Sequence, residues 1–305
     1  MKKLITICAV IVLFGTGYAW AGTWTTIPDI PGQAWMTPEE VSGGTVVGSW
    51  CDSLSYHGFV YDGGSLSSFD YPGYSPPGWS TCFYGVQGNT VVGAHGITGW
   101  TYDGLMYNIS TQTWTNIVSP FPGFPDLGLF GIDGDKLVGN VWDGIQGYGQ
   151  MRAVLYDGAS WSIIQPPGSP QAGAKDISGN TVVGCYNDGN WKLHGFIYDG
   201  TNYTTVDWPG AISTDLEGIS GSSMVGICVD ASGLAHGLLY DGTAWTTLDM
   251  PGATSTQFFG IDGSTVVGNY QDASGMHGLI YTIPEPATLL LLGFGGLALL
   301  RNRKK

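Results

Sequence analysis

The stretch "FFGIDGSTVVGNYQDASGMHGLIY" (258–281) occurs in related form along most of this 305-residue chain. "LEGISGSSMVGICVDASGLAHGLLY" (216–240) and "AKDISGNTVVGCYNDGNWKLHGFIY" (174–198) repeat it most clearly. A valine-glycine pair marks each copy and ends, at intervals of 42 to 46 residues, at Gly48, Gly93, Gly139, Gly184, Gly226 and Gly268. A regular period of this length indicates an array of six similar structural units.

Each full copy contains four segments that predict β-strands. The first ends in Gly-Ile-x-Gly, the second is "TVVG", the third resembles "HGFIY" (194–198), and the fourth resembles "AWTTLDMPG" (244–252). Alternating β-branched and aromatic residues between glycine-rich turns are the expected strand and hairpin signals. The Asp-Gly pair after the third segment favours a two-residue hairpin loop.

The two ends of the array complement each other. The last copy stops at Tyr281 without a fourth strand, and "TWTTIPDIPG" (23–32) matches that missing strand. Sharing one blade between both ends is how a β-propeller closes its ring and avoids an exposed sheet edge. The sequence therefore predicts an all-β, six-bladed β-propeller of ~42-residue repeats, closed by its N-terminal strand. An open stack of repeats is the alternative, but it leaves the terminal match unexplained.

The first 21 residues have the pattern of a secretory signal peptide. Lys2 and Lys3 precede an apolar run, and Ala19-Trp20-Ala21 provides a small-x-small cleavage site. We therefore predict a signal peptide at 1–21, the propeller at 22–282, and a separate C-terminal segment with a short hydrophobic helix at 283–305.

The predicted propeller is strongly acidic. Residues 22–282 contain 23 acidic residues and four basic ones, whereas the whole chain has a formal net charge of −14. Such a surface repels nucleic acids and anionic lipid head groups. The sequence therefore excludes nucleic-acid binding.

A short histidine motif recurs at the third strand. It reads "HGFVY" (57–61), "HGFIY" (194–198), "HGLLY" (236–240) and "HGLIY" (277–281), with "TGWTY" (98–102) and "RAVLY" (152–156) assigned to blades two and three. The motif resembles the HAF family of extracellular repeats, which is named for a His-Ala-Phe run, with Gly in place of Ala. The resemblance covers about residues 40–281 and implies an extracellular repeat architecture without a defined chemistry.

The C-terminal segment joins Ile283-Pro284-Glu285-Pro286 to an apolar run (287–300) and a basic end, "RNRKK" (301–305). This order resembles the PEP-CTERM sorting signal. The resemblance implies processing near Pro284, Glu285 and Pro286 by an exosortase, an integral-membrane transpeptidase-like enzyme. It also implies delivery to the cell surface of Gram-negative bacteria that make exopolysaccharide, as in biofilms.

The apolar run bears on how this segment meets a membrane. Fourteen residues span only about 21 Å as a helix, short of the ~30 Å hydrocarbon core. We therefore expect transient anchoring with the basic end on the cytoplasmic side. An ordinary C-terminal membrane anchor is the alternative.

Some tryptophans lie in variable segments rather than at repeat positions. In a propeller, the loops that join second to third strands and the loops between blades open on the same face. Exposed aromatic rings there can stack on sugars, and core packing is the alternative for each ring. The candidate ligand-face aromatics are Trp35, Trp79, Trp142 and Trp191.

Four cysteines follow the signal peptide: Cys51, Cys82, Cys185 and Cys228. An even number in an exported chain permits two disulfides, with three connectivities. Their positions near one face of the predicted propeller favour Cys51–Cys82 and Cys185–Cys228. No C-x-x-C pair is present, so we expect no zinc site.

The recurrent histidines share one position of the repeat and therefore lie in different blades. Metal ligands must all lie within about 2.1 Å of one ion, so we predict a structural role for these histidines and no metal site. Thr98 and Arg152 take this position in blades two and three, and His95 lies outside it. Calcium is the one cofactor left open, because oxygen ligands suit it, at Asp133, Asp135, Asp143 or Asp188.

The sequence predicts no catalytic residues. A sialidase needs several arginines to bind a carboxylate, and Arg152 is the single arginine of residues 22–282. Glycoside hydrolysis needs two carboxylates in different environments, yet the acids that can be placed lie in repeated turns or loops. Glu39, Glu40 and Glu217 are the available glutamates.

We therefore expect an exported surface or extracellular-matrix protein that binds polysaccharide, or another surface protein, without catalysis. The alternative is a secreted carbohydrate-active enzyme on a propeller scaffold. A tight cluster of acids in the loops of one blade or at the central channel would favour the enzyme, whereas a symmetric channel lining would favour the binding protein.

Overall fold

The computed structural model describes residues 22–73, 81–96, 101–143 and 150–284. Trp24–Thr282 form one compact unit. Of the second unit, which comprises Met1–Thr23 and Ile283–Lys305, only residues 22–23 and 283–284 are described. The predicted signal peptide and C-terminal hydrophobic helix thus lie outside the described residues. Within the described ranges, no helix has the length and hydropathy needed to cross a membrane.

The described chain forms six antiparallel sheets of four strands each, which confirms the predicted all-β, six-bladed β-propeller. The first strand is β1 (Thr23–Thr26). Blade 1 contains β2 (Trp35–Ser42), β3 (Thr45–Cys51), β4 (Tyr56–Tyr61) and β5 (Leu66–Phe69); blade 2 contains β6 (Thr81–Gln87), β7 (Thr90–Gly96), β8 (Tyr102–Asn108) and β9 (Thr113–Ile117). Blade 3 contains β10 (Asp126–Asp133), β11 (Lys136–Trp142), β12 (Met151–Tyr156) and β13 (Trp161–Ile163).

The second half of the ring follows the same order. Blade 4 contains β14 (Gln171–Ser178), β15 (Thr181–Asn187), β16 (Leu193–Tyr198) and β17 (Tyr203–Val206); blade 5 contains β18 (Ser213–Ser220), β19 (Ser223–Val229), β20 (Ala235–Tyr240) and β21 (Trp245–Leu248). Blade 6 contains β22 (Ser255–Asp262), β23 (Thr265–Asp272), β24 (Gly275–Thr282) and, as its fourth strand, β1.

The N-terminal strand closes the ring as predicted. β1 lies beside β24, and just beyond β1 the Ile27 N–H donates a hydrogen bond to the Gly278 carbonyl at 2.9 Å. The Trp24 ring packs on Tyr281, with 4.4 Å between ring centroids. The innermost strands contact one another in sequence around the axis, from β2 through β6, β10, β14 and β18 to β22 and back to β2.

A bulge in each innermost strand requires the glycine of the valine-glycine pair, which we call the landmark glycine. In blade 1 the bulge lies between Pro38 and Glu40, so Glu39 has no partner on β3. A Cβ atom on Gly48 would lie 2.1 Å from the Thr37 carbonyl oxygen, and the other five landmark glycines meet equivalent carbonyls at 1.9 to 2.1 Å. Any side chain there would collide with backbone, which explains why the valine-glycine pair recurs.

A second glycine lets neighbouring blades pack together. Gly58 follows the recurrent histidine of blade 1, and a Cβ atom there would lie 2.8 Å from the buried Phe83 ring of blade 2. Gly237 has the same relation to the buried Phe258 of blade 6. Full burial of such a ring stabilises the fold by about 1.5 to 3 kcal/mol. The glycine in "HGF" is therefore a packing requirement between blades.

The Asp-Gly pairs form a longer turn than the predicted two-residue loop. Asp62 opens a four-residue loop between β4 and β5, and its N–H donates to the Ser65 carbonyl. The Asp62 carboxylate accepts hydrogen bonds from the N–H groups of Gly64 and Ser65. Asp157, Asp199 and Asp241 form the same turn.

Candidate functional site

The central channel is lined by the bulge residues of the six innermost strands. These residues have no backbone partner in the adjacent strand, and neighbouring ones contact each other around the axis. Around the ring they are Glu39, Tyr84, Phe130, Lys175, Glu217 and Phe259. The six strands therefore share the same backbone geometry but place different side chains at the channel. Tyr84 and Phe130 stack on one side, and Lys175 and Glu217 form an ion pair on the other.

Lys175 is the centre of the charged group. Its Nζ atom lies 3.0 Å from a Glu217 carboxylate oxygen and 5.6 Å from the centroid of the Phe130 ring. Burial disfavours the charged form of Lys175, but attraction to Glu217 and Asp215 outweighs it, so the pKa of Lys175 lies well above its usual value. Burial raises the pKa of Glu39 to about 8 despite the opposing effect of Lys175. Glu39 is thus mostly protonated at neutral pH.

A second acidic pair lies next to the bulges. Glu40 and Asp176 are both buried and occupy a position that is glycine in the other four blades. The Glu40 carboxylate accepts the Val41 N–H at 2.8 Å, and Asp176 accepts the N–H groups of Ile177 and Ile219 at 2.7 and 2.8 Å. Burial is the main cause that raises the pKa of Asp176 to about 7 and that of Glu40 well above its usual value.

Sequence reasoning missed this axial cluster. It placed the acids in turns and loops, whereas Glu39, Glu40, Asp176 and Glu217 lie on innermost strands at the channel. One sequence signal could have revealed the cluster: in blades 1 and 4, Glu40 and Asp176 replace the first glycine of the Gly-Ile-x-Gly motif. Where glycine is kept, a Cβ atom has no room: on Gly131 it would lie 2.7 Å from the Asp176 Cα atom.

At the other end of these strands, a closed circle of hydrogen bonds links all six blades. In each blade, the turn between the first and second strands begins with a glycine. The residue before this glycine accepts a hydrogen bond from the N–H of the corresponding glycine in the next blade. The donors and acceptors are Gly88 N to Ser42 Oγ (3.2 Å), Gly134 N to Gln87 Oε1 (2.7 Å), Gly179 N to Asp133 Oδ2 (2.5 Å), Gly221 N to Ser178 Oγ (3.1 Å), Gly263 N to Ser220 Oγ (3.1 Å) and Gly43 N to Asp262 Oδ2 (2.7 Å).

The recurrent histidines lie in four separate blades, each between two aspartates of its own blade. Nδ1 lies 2.7 to 3.3 Å from the aspartate that follows the outermost strand, and Nε2 lies 3.4 to 3.7 Å from the aspartate of the loop between second and third strands. The trios are Asp52–His57–Asp70, Asp188–His194–Asp207, Asp230–His236–Asp249 and Asp272–His277–Asp29. Each histidine therefore ties a loop to the outer strand of its blade.

Charge favours this arrangement in blade 5. The hydrogen bond that the His236 ring donates to Asp249 is the main cause that raises the pKa of His236, and hydrogen bonds donated by Ser232 and Leu234 lower the pKa of Asp230. These contacts thus favour the charged forms of His236 and Asp230.

The assignment of blade 2 from the sequence was wrong. β8 begins at Tyr102, so Asp103 and not Thr98 stands at the histidine position. His95, which the sequence left outside the pattern, pairs directly with Asp103, and its Nε2 lies 2.7 Å from the Asn116 Oδ1 atom. The Asp-Gly pair of blade 2 lies within a strand and not in a turn, which shifted the alignment by five residues.

The candidate aromatics have different environments. Trp35 is half-buried edge-on to Tyr56, at 5.2 Å between centroids, and Trp142 is half-buried edge-on to Tyr102, at 5.4 Å. Trp79 lies outside the described residues. Trp191 is 64% exposed. Of the three described candidates, Trp191 alone presents most of its surface to solvent.

The Trp191 backbone has a conformation that tryptophan rarely adopts. Its φ angle is +65°, in the left-handed region, whereas the corresponding residue of blade 5 is Gly233, with φ +85°. The loop is held by Asp188, whose Oδ1 accepts the N–H groups of Asn190 and Lys192 and whose carbonyl accepts the Trp191 N–H. A bulky residue in this region is a genuine outlier.

The cysteines are free thiols, so neither predicted disulfide is formed in the structure. The Cys51 thiol donates to the Asp52 carbonyl at 2.8 Å. Cys82, Cys185 and Cys228 are buried, and burial raises the pKa of Cys82 and of Cys228 to about 11. Burial thus disfavours the reactive thiolate form of Cys82 and Cys228.

Three of the four predicted calcium ligands accept hydrogen bonds from backbone N–H groups, and the fourth, Asp135, lies in the turn between β10 and β11. Asp133 accepts the Gly179 N–H, Asp143 accepts the Gln150 N–H, and Asp188 holds the loop of Trp191. In the described ranges, no group of three or more His, Cys, Asp or Glu residues is arranged to hold a metal ion.

Solved structures share this fold at low sequence identity. The β-propeller domain of the Trilobed protease from Pyrococcus furiosus is 11% identical, with a TM-score of 0.53 over 83% of this chain and 94% of that chain. A mutant of the Aleuria aurantia lectin in complex with alpha-methyl-L-fucoside is 8% identical, with a TM-score of 0.52 over 84% and 95%. TolB from Acinetobacter baumannii is 10% identical, with a TM-score of 0.51 over 79% and 64%. These likenesses establish the fold alone.

The C-terminal segment has a sequence match of its own. Residues 282–304 match the model of the PEP-CTERM protein-sorting motif, and of the predicted motif residues Pro284 is described whereas Glu285 and Pro286 lie outside the described residues. No curated protein sequence matches the chain, and the resemblance to HAF repeats stays a prediction. The chain is an exported protein with a six-bladed β-propeller and a PEP-CTERM motif, which implies transient anchoring at its C-terminus and processing by an exosortase.

Proposed function

We propose that this protein binds neutral polysaccharide outside the cell, without catalysis, through the face that carries the loops between second and third strands. Trp191 is the observation that carries the proposal. Its indole is 64% exposed on that face, on a backbone with φ +65°.

Folding alone favours glycine at this position. The left-handed conformation costs a residue other than glycine about 1 to 2 kcal/mol, and an indole that is mostly exposed recovers little of this through burial. Strained residues of this kind concentrate at sites of ligand contact. A bound sugar whose apolar face stacks on the indole would account for the tryptophan.

The loop presents the indole in a fixed position. Asp188 binds the backbone on both sides of Trp191 and lies 3.5 Å from His194 Nε2. The opposite ring nitrogen of His194 lies 2.7 Å from Asp207, next to the outermost strand. A platform that is already ordered loses little conformational entropy on binding.

The charge of the protein selects the class of glycan. Residues 22–282 carry 23 acidic side chains and four basic ones. An acidic polysaccharide would be repelled by this surface at ordinary ionic strength. Neutral polysaccharide is therefore the expected ligand class.

Affinity electrophoresis of the full-length protein tests the proposal. We expect slower migration in native gels that contain at least one of hydroxyethylcellulose, dextran or galactomannan, and unchanged migration in alginate gels. Trp191→Gly should abolish the retardation. Leu234→Ala, which removes exposed apolar surface from the corresponding loop of blade 5, should retain it. Migration unaffected by all three neutral polymers, or retardation kept in Trp191→Gly, would refute the proposal.

A carbohydrate-active enzyme is the second candidate, and the axial acids favour it. Glu39 stays mostly protonated at neutral pH because its pKa is about 8, as a general acid requires. Glu217 supplies a second carboxylate in the same channel, next to Lys175. Release of reducing ends from the same three polymers, lost in Glu39→Gln and kept in Trp191→Gly, would identify an enzyme and replace the binding proposal.

A further inference from the structure

A pocket of about 110 Å³ lies between blades 2 and 3, near the ends of strands that point toward the same face as Trp191. It adjoins the central channel, with which it shares Tyr84 and Phe130, and it contains Trp142, one of the candidate aromatics. The residues around it belong to β6, β7, β8, β10 and β11.

The walls of the pocket are aromatic. The rings of Tyr84 and Phe130 stack, with 4.4 Å between centroids and 7° between planes. Tyr102 and Trp142 meet edge to face at 5.4 Å and 77°. These four rings surround the space with flat apolar surfaces, which favour C–H groups of a ligand.

Gly128 keeps the pocket open. A Cβ atom at this residue would lie 3.0 Å from the Phe130 ring and 3.4 Å from the Trp142 ring, so even alanine would crowd the space. The corresponding residues of the other innermost strands are Thr37, Cys82, Gly173, Asp215 and Gln257. Small Ala94 and Gly96 complete the boundary on β7.

The polar groups around the pocket already have protein partners. His95 Nδ1 lies 3.1 Å from the Gly96 carbonyl oxygen and its Nε2 lies 2.7 Å from Asn116, and the Thr81 hydroxyl accepts the Tyr71 N–H. None of the described residues around the pocket is Asp, Glu, Lys or Arg. A charged ligand group would lose its hydration there without compensation, so the occupant should be neutral and largely apolar.

The size of the pocket limits the occupant further. A dry cavity of about 150 Å³ accepts benzene, which has six heavy atoms. The space between blades 2 and 3 is smaller, and therefore suits a substituent of about four heavy atoms better than a complete sugar ring.

We propose that this pocket binds the acetamido group of an N-acetylated neutral sugar, an inference that rests on the glycan binding proposed above. The acetyl methyl group enters the pocket and packs on the rings of Phe130 and Trp142, whereas the amide carbonyl and N–H stay at the open side of the pocket, where water hydrates them. The pocket thus determines which neutral glycan is preferred, whereas Trp191 supplies stacking for any of them.

A matched pair of oligosaccharides tests this inference on the full-length protein. Tri-N-acetylchitotriose and cellotriose share a β-1,4-linked backbone and differ in the acetamido group. By isothermal titration calorimetry, we expect tri-N-acetylchitotriose to bind at least tenfold more tightly. Saturation-transfer NMR should show the acetyl methyl protons as the most strongly saturated.

Gly128→Ala should remove this preference and leave cellotriose binding unchanged. Gly173→Ala is the matched control, because it adds the same methyl group to the same position of β14, outside the pocket. Trp142→Ala removes one wall and should also remove the preference, which provides a second variant if Gly128→Ala does not fold.

Three results would overturn the inference, and the first two are distinguishable from failure of glycan binding itself. Equal affinities for both trisaccharides, with binding lost in Trp191→Gly, would reject the pocket and leave the binding function in place. A preference that persists in Gly128→Ala and Trp142→Ala would place recognition of the acetamido group elsewhere. If neither trisaccharide binds, the pocket assignment is wrong, and the polymer gels decide on glycan binding independently.

Discussion

Glu40 and Asp176 place two buried carboxyl groups at the same pocket on the axis, from blades that stand three positions apart in the ring. Each carboxyl group also accepts a backbone N–H of the residue that follows it. Because burial disfavours charge at both, the folded protein retains protons here that the unfolded chain releases. The pair therefore links stability of the propeller to pH.

We predict that the free energy of unfolding decreases as the pH rises from about 5 to 8. The pKa of Asp176 is raised from 3.8 to about 7 and that of Glu39 from 4.5 to about 8. The stability that these two protonated groups contribute is therefore fully present below the pKa values of the unfolded chain, and it is lost as the pH rises through the pKa values of the folded protein. Asp176→Asn should flatten this dependence by on the order of 2 kcal/mol. Urea denaturation at several pH values measures it, and identical pH profiles for variant and wild type would contradict the assignment.

The backbone at Trp191 predicts a stabilising substitution at an exposed tryptophan. Trp191→Gly should raise the free energy of unfolding by about 1 kcal/mol, because glycine adopts a positive φ without steric cost. Gly233→Ala, in the corresponding loop of blade 5, should lower it by a similar amount. Urea denaturation of the pair checks both signs, and a destabilised Trp191→Gly would show that the indole supports the fold.

Closure of the ring depends on the contact of Trp24 with Tyr281 and Phe258. Trp24→Ala should destabilise the protein by about 2 kcal/mol through loss of the half-buried ring surface, and should expose the β1 segment to proteases. Trp245→Ala is the internal comparison, because Trp245 packs on Tyr240 within an uninterrupted blade. It should cost a similar free energy without creating a cleavage site near the N-terminus. Proteolysis followed by mass spectrometry distinguishes the two.

The circle of turn hydrogen bonds predicts a local effect between blades. Asp262→Ala removes the acceptor for the Gly43 N–H of blade 1 and should cost about 1 kcal/mol. The Gly43 amide should then exchange with solvent faster, although it lies far away in sequence. Ser264→Ala, in the turn that follows Asp262, serves as the control and should leave Gly43 unchanged. Hydrogen exchange measured by NMR reports on this amide directly.

The free thiols predict how the protein reacts with alkylating reagents. Cys51 is partly exposed and should react in the folded state, whereas Cys82, Cys185 and Cys228 are buried and should react only after unfolding. Peptide mapping after alkylation, with and without denaturant and without reductant, tests this. A cysteine that resists alkylation in denaturant would contradict the assignment of free thiols and would indicate a disulfide at that residue.

The sequence was sufficient for the fold because the repeat encodes it locally. Each blade carries its own bulge and turn glycines, of which Gly48 is an example, and five of the six carry the packing glycine represented by Gly58, with Ala153 in blade 3. The match of residues 23–32 to the missing strand indicated closure. The error in blade 2 arose because Asp103 and Gly104 have the letters of a turn but lie within a strand. Strand register there depends on the pairing of His95 with Asp103, which sequence spacing does not reveal.

The candidate site was only partly accessible from the sequence. Trp191 could be named because it lies in a variable loop, but its left-handed backbone follows from the hydrogen bonds around Asp188. Glu40 and Asp176 are far apart along the chain and meet only when six blades close around an axis. A search for acids that lie close together in sequence therefore could not find them.

The direction of β24 determines how the propeller is displayed. As the third strand of blade 6, β24 starts at the face that carries the loops between second and third strands and ends at the opposite face. Thr282 therefore lies on that opposite face. The loop of Trp191 and the end of the last strand therefore lie on opposite faces of the ring. Removal of the segment beyond Thr282 cuts no strand, so the same ring stays intact whether it is tethered or released.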